Sequence, residues 1–368
     1  MLVNGKHYRT IHLNESDNTL KVIDQTLLPH RFEISTLKKS KDVIEAIKKM
    51  TVRGAPLIGV TAAYGIYLAC LEAEQMTGFD EYVSRIAKLL KETRPTAVNL
   101  FYSIDKSLKE ISRYTSISQK INSAREYALK LTKQEVDNCR NIGLYGLKII
   151  EDIIKEKKTS KINVLTHCNA GWLACIDYGT ATAAVYLAKE KGIDIHVWVE
   201  ETRPRNQGAS LTAWELLQNN VPHTVITDNA GGYVMQKGMV DIVIVGSDRT
   251  SANGDVCNKI GTYKTALAAK DNNIPFYAAV PTTSIDIQID NGIKDIEIEE
   301  RNGDEVRYIT GLLEGELKRV LITPLESPVK NYGFDITPSR LVTGLITEKG
   351  LVKPEKEEIL KLFNPLRD

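Results

Sequence analysis

Apolar residues in the first half of the chain recur at helical spacing; in the second half they come in short unbroken runs. Val43, Ile44, Ile47 and Met50 share one helical face, and a more continuously apolar helix is predicted over 58–74. Arg53-Gly54-Ala55-Pro56 separates the two, with Gly54 allowing close backbone approach and Pro56 suited to a first helical turn. Residues 79–92 and 104–115 predict two further helices. Between them Arg94-Pro95-Thr96-Ala97-Val98-Asn99 reads as a rigid connection. A long helical pattern follows from Ile121 to Lys155 and ends in the charged run KEKKTSK. Ahead of all these, LKVIDQTLLPHRFEI holds two apolar runs broken at Pro29 and His30, which predicts short strands around a turn.

The period changes at Ile162. INVLTH, IDIHVWVE, HTVIT, DIVIVG, IPFYAAV and KRVLIT alternate with helical stretches at 181–191, 211–219 and 260–270. Strands without polar alternation need cover on both faces, so they predict a parallel sheet flanked by helices. The expected fold class is α/β: a doubly wound parallel sheet with a smaller, mainly helical N-terminal domain. The expected boundaries are 1–135 and 136–368, the second domain being entered through the long helix.

Composition narrows the partners. Among 368 residues, 48 Lys+Arg balance 47 Asp+Glu, which removes the basic excess that nucleic-acid binding requires. The N-terminus lacks a signal pattern and no run approaches 18 apolar residues, so the expectation is a cytoplasmic protein without a membrane partner. Five cysteines, odd in number and never in CxxC spacing, argue against a disulfide scaffold and a thiolate zinc site. GxGxxG, GxxxxGK[ST] and HExxH are all absent. A rearrangement with no metal and no cofactor is therefore preferred to redox chemistry or ATP-driven transfer.

Ligands of doubly wound sheets collect at the carboxyl ends of the strands. THCNAGW, ETRPRNQGA, TDNAGG and GSDRTSANGDVCNKIG all fall there. Cys168 reads either as a packing residue or as a thiolate favoured by backbone donors at a helix start. Asp248 reads either as the partner of Arg249 or as a desolvated acid–base group, with Asp255 as second choice. Arg53-Gly54-Ala55 offers a cationic fork beside an approachable backbone, and Arg94 offers a second clamp. Asn258 and Lys259 stand where a helix N-terminus is expected, which favours an anion. His167 reads as a structural hydrogen-bonding residue; Trp172, Trp198 and Trp214 read equally as pocket or core.

The segments IDQTLLP, TVRGAPLIG, TRPTAVNL, LTHCNAG, YGTA, ETRPRNQGASLTAWEL, GSDRTSANGDVCNKIGTY and FDITPSRLVTGLITEKG run in order through nearly the whole chain. Together they resemble methylthioribose-1-phosphate isomerases, in the family that also contains ribose-1,5-bisphosphate isomerases and regulatory subunits of the translation-initiation nucleotide-exchange factor. The resemblance implies a Rossmann-like C-terminal domain, a homodimer, and no metal or nicotinamide cofactor. The implied activity converts 5-methylthioribose 1-phosphate, a phosphorylated pentose derivative, to 5-methylthioribulose 1-phosphate in methionine salvage.

It also implies Cys168 beside the reacting centre and Asp248 as proton donor or acceptor. The implied substrate-binding set is Arg53, Gly54, Ala55, Arg94, Gln207, Asn258 and Lys259. Hydrogen would pass from C2 to C1 as a proton, with Cys168 as base, or as hydride; the proton route is the preferred reading. Trp172, Cys175, TDNAGG and GSDRTS depart from the family's usual text, which leaves 5-deoxyribose 1-phosphate as an alternative substrate. A noncatalytic regulatory homologue is the other alternative, disfavoured by the joint presence of Cys168 and Asp248.

Overall fold

The computed structural model describes residues 1–94 and 97–363; Pro95 and Thr96, from the predicted rigid connection, lie outside them. Strands β1 (Leu2–Val3) and β2 (Lys6–His7) pair antiparallel. β3 (Ile11–Asn14), β4 (Thr19–Ile23) and β5 (Ile34–Leu37) form a three-stranded antiparallel sheet, as the early apolar runs predict. Helix α1 (Ser40–Lys48) buries Val43, Ile44 and Ile47 on one face. α2 (Ala55–Glu72) is buried continuously from Ala55 to Cys70. Its length and hydropathy would suit a membrane crossing, but 89% of that window lies inside the protein. α3 (Phe79–Lys91), α4 (Val98–Ile111) and α5 (Ile117–Lys157) supply the cover.

α4 starts earlier than the pattern predicts because its buried face carries Asn99, Ser103 and Ser107, which hide the apolar period. Those small polar residues let the α2 backbone approach: a Cβ on Gly59 would lie 2.8 Å from Ser103 Oγ. α5 is 41 residues long and contributes to two hydrophobic cores, Ala124, Ala128 and Leu131 to the first and Ile142, Ile149 and Ile150 to the second.

β6 (Lys161–His167), α6 (Ala183–Glu190), β7 (Asp194–Glu200), α7 (Ala213–Gln218), β8 (His223–Ile226), α8 (Ala230–Gln236) and β9 (Ile242–Val245) follow. Then come β10 (Arg249–Ser251), β11 (Val256–Lys259), α9 (Thr262–Asp271), β12 (Phe276–Ala279) and β13 (Ile285–Asp286). β14 (Tyr308–Leu313), β15 (Glu316–Leu321), β16 (Phe334–Thr337), β17 (Gly344–Thr347) and β18 (Gly350–Val352) complete the strands. The central sheet has the order β18-β17-β12-β9-β6-β7-β8, parallel except at the β18 edge. The chain leaves β6 toward β7 and β8, then returns to β9 on the other side. This is the Rossmann order, and its switch point lies between β6 and β9.

One predicted strand is misplaced. KRVLIT does not enter this sheet; most of it forms β15, paired antiparallel with β14 in a hairpin whose Leu312, Leu313, Val320 and Leu321 are exposed. The sixth parallel strand is β17, whose GLIT is only four residues long. An apolar run reads the same whether a sheet or solvent covers it, so pattern alone selects the longer run.

Candidate active site

Cys168 follows β6 directly and Asp248 comes three residues after β9, so the two flank the switch point. Cys168 takes a left-handed backbone with φ 64°. Its N–H donates to Thr202 Oγ1 at 2.8 Å, and its carbonyl accepts from Thr212 Oγ1 at 2.6 Å. Two hydrogen bonds thus hold a buried non-glycine residue at positive φ, a conformation imposed by the loops around it. The Asp248 N–H donates to the Cys257 carbonyl at 3.0 Å, which ties its turn to β11.

Arg53 reaches across from the helical region to the Cys168 loop. Its Nη1 donates to Asn169 Oδ1 at 2.6 Å and its Nη2 to the Asn169 carbonyl at 2.9 Å. Gly54 makes this approach possible, with φ 96° and a missing Cβ that would lie 2.6 Å from Ala174 Cα. Gly54→Ala combines a strained φ with a backbone clash. It is expected to destabilise the fold by at least about 2 kcal/mol, read as a lower urea midpoint, and to displace Arg53 from Asn169.

Lys259 donates to the Gly333 carbonyl at 2.8 Å, with its ammonium 4.7 Å from the centre of the Phe334 ring. Asn258 donates to Thr262 Oγ1 at 3.0 Å. The expected helix N-terminus is not here: both residues belong to β11, opposite Asp335 and Phe334 of β16, and α9 begins only after Gly261. Attraction for an anion at this position therefore comes from the Lys259 ammonium rather than from a helix dipole. Arg94 pairs with Glu299 at 3.3 Å, and its Nε is buried without a hydrogen-bond partner among the described residues. Gln207 Oε1 is likewise buried without a hydrogen-bond partner among the described residues.

Arg53, Gly54, Ala55, Arg94, Cys168, Gln207, Asp248 and Lys259 line one cavity of about 60 Å³. Asn258 lines a smaller adjoining pocket of about 30 Å³, again with Arg53, Cys168 and Asp248. The proposed catalytic and substrate-binding residues therefore meet at one place, while Asp255 and the three tryptophans do not join them. That carboxylate accepts from the N–H groups of Ser339 and Gly292 at 2.9 and 3.1 Å and orients the loop instead. Trp172 and Trp214 pack in the core, and Trp198 donates to the Met239 carbonyl at 2.8 Å. The sequence reading missed Met50, Ile58, Ile296 and Phe334, an apolar wall of the cavity. Phe334 lay within a quoted motif, but nothing local marks Ile296 as a pocket residue.

Burial raises the proton affinity of the Asp248 carboxyl, against the opposing pull of Lys259, Arg53 and Arg94. Burial likewise pushes the Cys168 thiol up, outweighing Arg53 and Lys259, and pulls Lys259 down. The expected thiolate is thus not favoured. The chain after Cys168 enters a one-turn helix only at Trp172, so no aligned helix N-terminus offsets the cost of desolvation. His167, Glu200 and Asp228 bring ligand-type atoms together. Asp228 already accepts the Thr202 and Arg203 N–H groups at 2.6 and 2.7 Å, and the Lys264 ammonium stands 3.8 Å from Glu200. The trio is an ion-pair network with its cation supplied by the protein.

Residues 51–354 match the Initiation factor 2 subunit family. The methylthioribose-1-phosphate isomerase of Desulfatibacillum aliphaticivorans is 54% identical over 364 residues, spanning 99% of each chain. That of Sulfurimonas denitrificans is 52% identical over 360 residues, spanning 97% of this chain and 99% of the relative. The crystal structure of 5-methylthioribose 1-phosphate isomerase from Pyrococcus horikoshii superposes with a TM-score of 0.84 at 38% identity, covering 97% of this chain and 96% of that one. A structure described as translation initiation factor eIF-2B, subunit delta, from A. fulgidus gives a TM-score of 0.79 at 40% identity, covering 96% and 100%. The fold is therefore shared by enzymes and by proteins named as initiation-factor subunits, but with more than half of its residues identical end to end to an isomerase, the chain belongs to the methylthioribose-1-phosphate isomerase family.

Proposed function

We propose that this protein isomerises 5-methylthioribose 1-phosphate to 5-methylthioribulose 1-phosphate, the aldose–ketose step of methionine salvage, as a cytoplasmic homodimer. The observation that carries the reading is the single cavity in which a buried acid, Asp248, and a buried thiol, Cys168, face Arg53, Arg94 and Lys259. Three cations suit one phosphate, and the apolar wall of Met50, Ile58, Ile296 and Phe334 suits a methylthio tail.

In this reading the phosphate on C1 blocks ring opening of the kind a free aldose undergoes, so an acid must protonate the ring oxygen. Asp248, whose buried carboxyl favours its neutral form, donates that proton. The bond from C1 to the ring oxygen breaks, leaving C1 cationic. Hydrogen then moves from C2 to C1 within the substrate and the C2 hydroxyl returns its proton to Asp248 as the ketone forms, so no net oxidant, reductant or proton is consumed. With the Cys168 thiol held protonated by burial, the hydride route fits better than abstraction by a thiolate. Cys168 then borders the migrating hydrogen, and the cationic clamps hold C1 and C2 in place, where orientation supplies several kcal/mol. The helical region, residues 1–135, contributes Arg53 and Arg94 as cover over the 136–368 catalytic region and helps exclude water.

Matched assays on 5-methylthioribose 1-phosphate, 5-deoxyribose 1-phosphate and ribose 1,5-bisphosphate test the substrate. The expected result is the highest kcat/KM on the first. Equal values for the first two make the enzyme a dual-specificity isomerase, and turnover of the bisphosphate alone overturns the reading.

A further inference from the structure

His167 precedes Cys168 and is fully buried. Its Nδ1 lies 2.6 Å from Glu200 Oε2, and its Nε2 lies 2.8 Å from the backbone carbonyl oxygen of Ile260. A neutral imidazole has one N–H and one lone pair, whereas a carbonyl and a carboxylate both only accept. With Glu200 ionised, both ring nitrogens donate; a protonated Glu200 would instead donate to a neutral ring, and nitrogen labelling of the ring distinguishes the two. Thr265 Oγ1 lies 2.9 Å from the same oxygen and 3.1 Å from the Gly261 carbonyl. The Lys264 ammonium stands 3.8 Å from the other oxygen, which is buried without a hydrogen-bond partner among the described residues, so the nearby charge rather than a hydrogen bond supports ionisation there. Gly261 makes room for the ring, since a Cβ there would lie 2.9 Å from His167 Cε1.

The connections run to both sides of the site. Ile260 follows Lys259, so the ring ties the end of β6 to the end of β11. Glu200 also offers its carbonyl to Thr202 Oγ1 at 2.9 Å, and that hydroxyl in turn accepts the Cys168 N–H. The thiol and the ammonium are each one residue away from an atom the ring system holds. We propose that His167 is a positioning residue, kept as an imidazolium by Glu200, that sets the separation of Cys168 from Lys259. This rests on Cys168 and Lys259 serving the reaction proposed above.

The charged and titratable groups near the ring are Glu200 on β7, Lys264 on α9, Asp228 after β8 and Asp335 on β16, with Cys168 next in sequence. Burial disfavours the ring's charge, and the Glu200 hydrogen bond, the charges of Glu200 and Asp228 and the Ile260 carbonyl together more than restore it, for a net rise in proton affinity. A group held protonated by such a pair loses its support as pH rises. In Glu200→Gln the side-chain oxygen can still accept from Nδ1, but the balancing charge is gone, and burial then drives the ring neutral at lower pH.

Two measurements test this. In wild-type protein labelled with 15N-histidine, both ring nitrogens of His167 are expected to carry protons at pH 8; a neutral ring there overturns the proposal, whether or not any variant folds. In Glu200→Gln, kcat at pH 8 is expected to fall about 10- to 100-fold relative to wild type, with KM little changed and the ratio recovering toward pH 6. A ratio independent of pH overturns the positioning role. Failure of the substrate assays alone leaves the ring's protonation untouched, so the two readings fail separately.

Discussion

An Asp248→Asn protein is expected to lose about 10³-fold or more in kcat while still binding the sugar phosphate. The amide keeps the shape and neutrality of the protonated carboxyl but cannot deliver a proton to the ring oxygen. Binding should survive because Arg53, Arg94 and Lys259 are unchanged, and calorimetry with substrate separates the two effects. Near-normal turnover would remove Asp248 from acid–base chemistry. The pH dependence has a definite sign. Because the Asp248 proton affinity is raised by burial, wild-type kcat should fall as pH climbs through the raised value. That limb should vanish from whatever activity the variant retains.

Stability should move the opposite way. A carboxyl that is harder to ionise folded than unfolded costs nothing below its unfolded pKa and destabilises progressively as pH rises toward the folded one. Asparagine does not ionise, so the variant should show a higher urea midpoint than wild type at pH 7 and none of that advantage at pH 3. A protein that is stabilised and inactivated by one substitution would mark Asp248 as a group retained for chemistry at the expense of the fold.

The second large effect concerns Cys168. Cys168→Ala is expected to reduce kcat by about 10²-fold or more, with the backbone hydrogen bonds to Thr202 and Thr212 intact because they involve only main-chain atoms of residue 168. Those bonds make the substitution a clean deletion of the thiol, so retained activity would exclude it from the chemistry. Substrate deuterated at C2 distinguishes the routes in the wild-type enzyme. Hydride migration should place the label on C1 without dilution. Extensive exchange with water would reinstate a base-mediated proton transfer and require the thiolate that burial disfavours.

Much of the site was legible because the signals are local. A polar or glycine-bearing segment directly after an apolar run marks a strand end, and in a doubly wound sheet strand ends converge. That placed Cys168 and Asp248 at strand ends; their roles as reacting-centre thiol and proton carrier came only from the family resemblance. Arg53-Gly54-Ala55 was legible through glycine and proline punctuation before a strongly apolar helix. Asn258 and Lys259 line the cavity and its adjoining pocket, but they belong to a strand rather than to the expected helix N-terminus. Their short strand is sustained by pairing with β16, about 75 residues later, rather than by any pattern of its own.

The sequence by itself determined most of the helices, five of the six parallel strands of the central sheet, and which loops carry polar groups, because side-chain period and backbone punctuation act over a few residues. Tertiary structure alone decided the ionisation of those groups and their partners. The Cys168 thiol is pushed up rather than down because elements distant in sequence exclude water from it. Arg94 meets Glu299 across 205 positions and His167 meets Ile260 across 93. The exposed run in β15 and the short buried β17 exchanged the roles that hydropathy predicts for them. Desolvation, close approach and strand pairing depend on what the rest of the chain brings alongside, and that is fixed only when the fold closes.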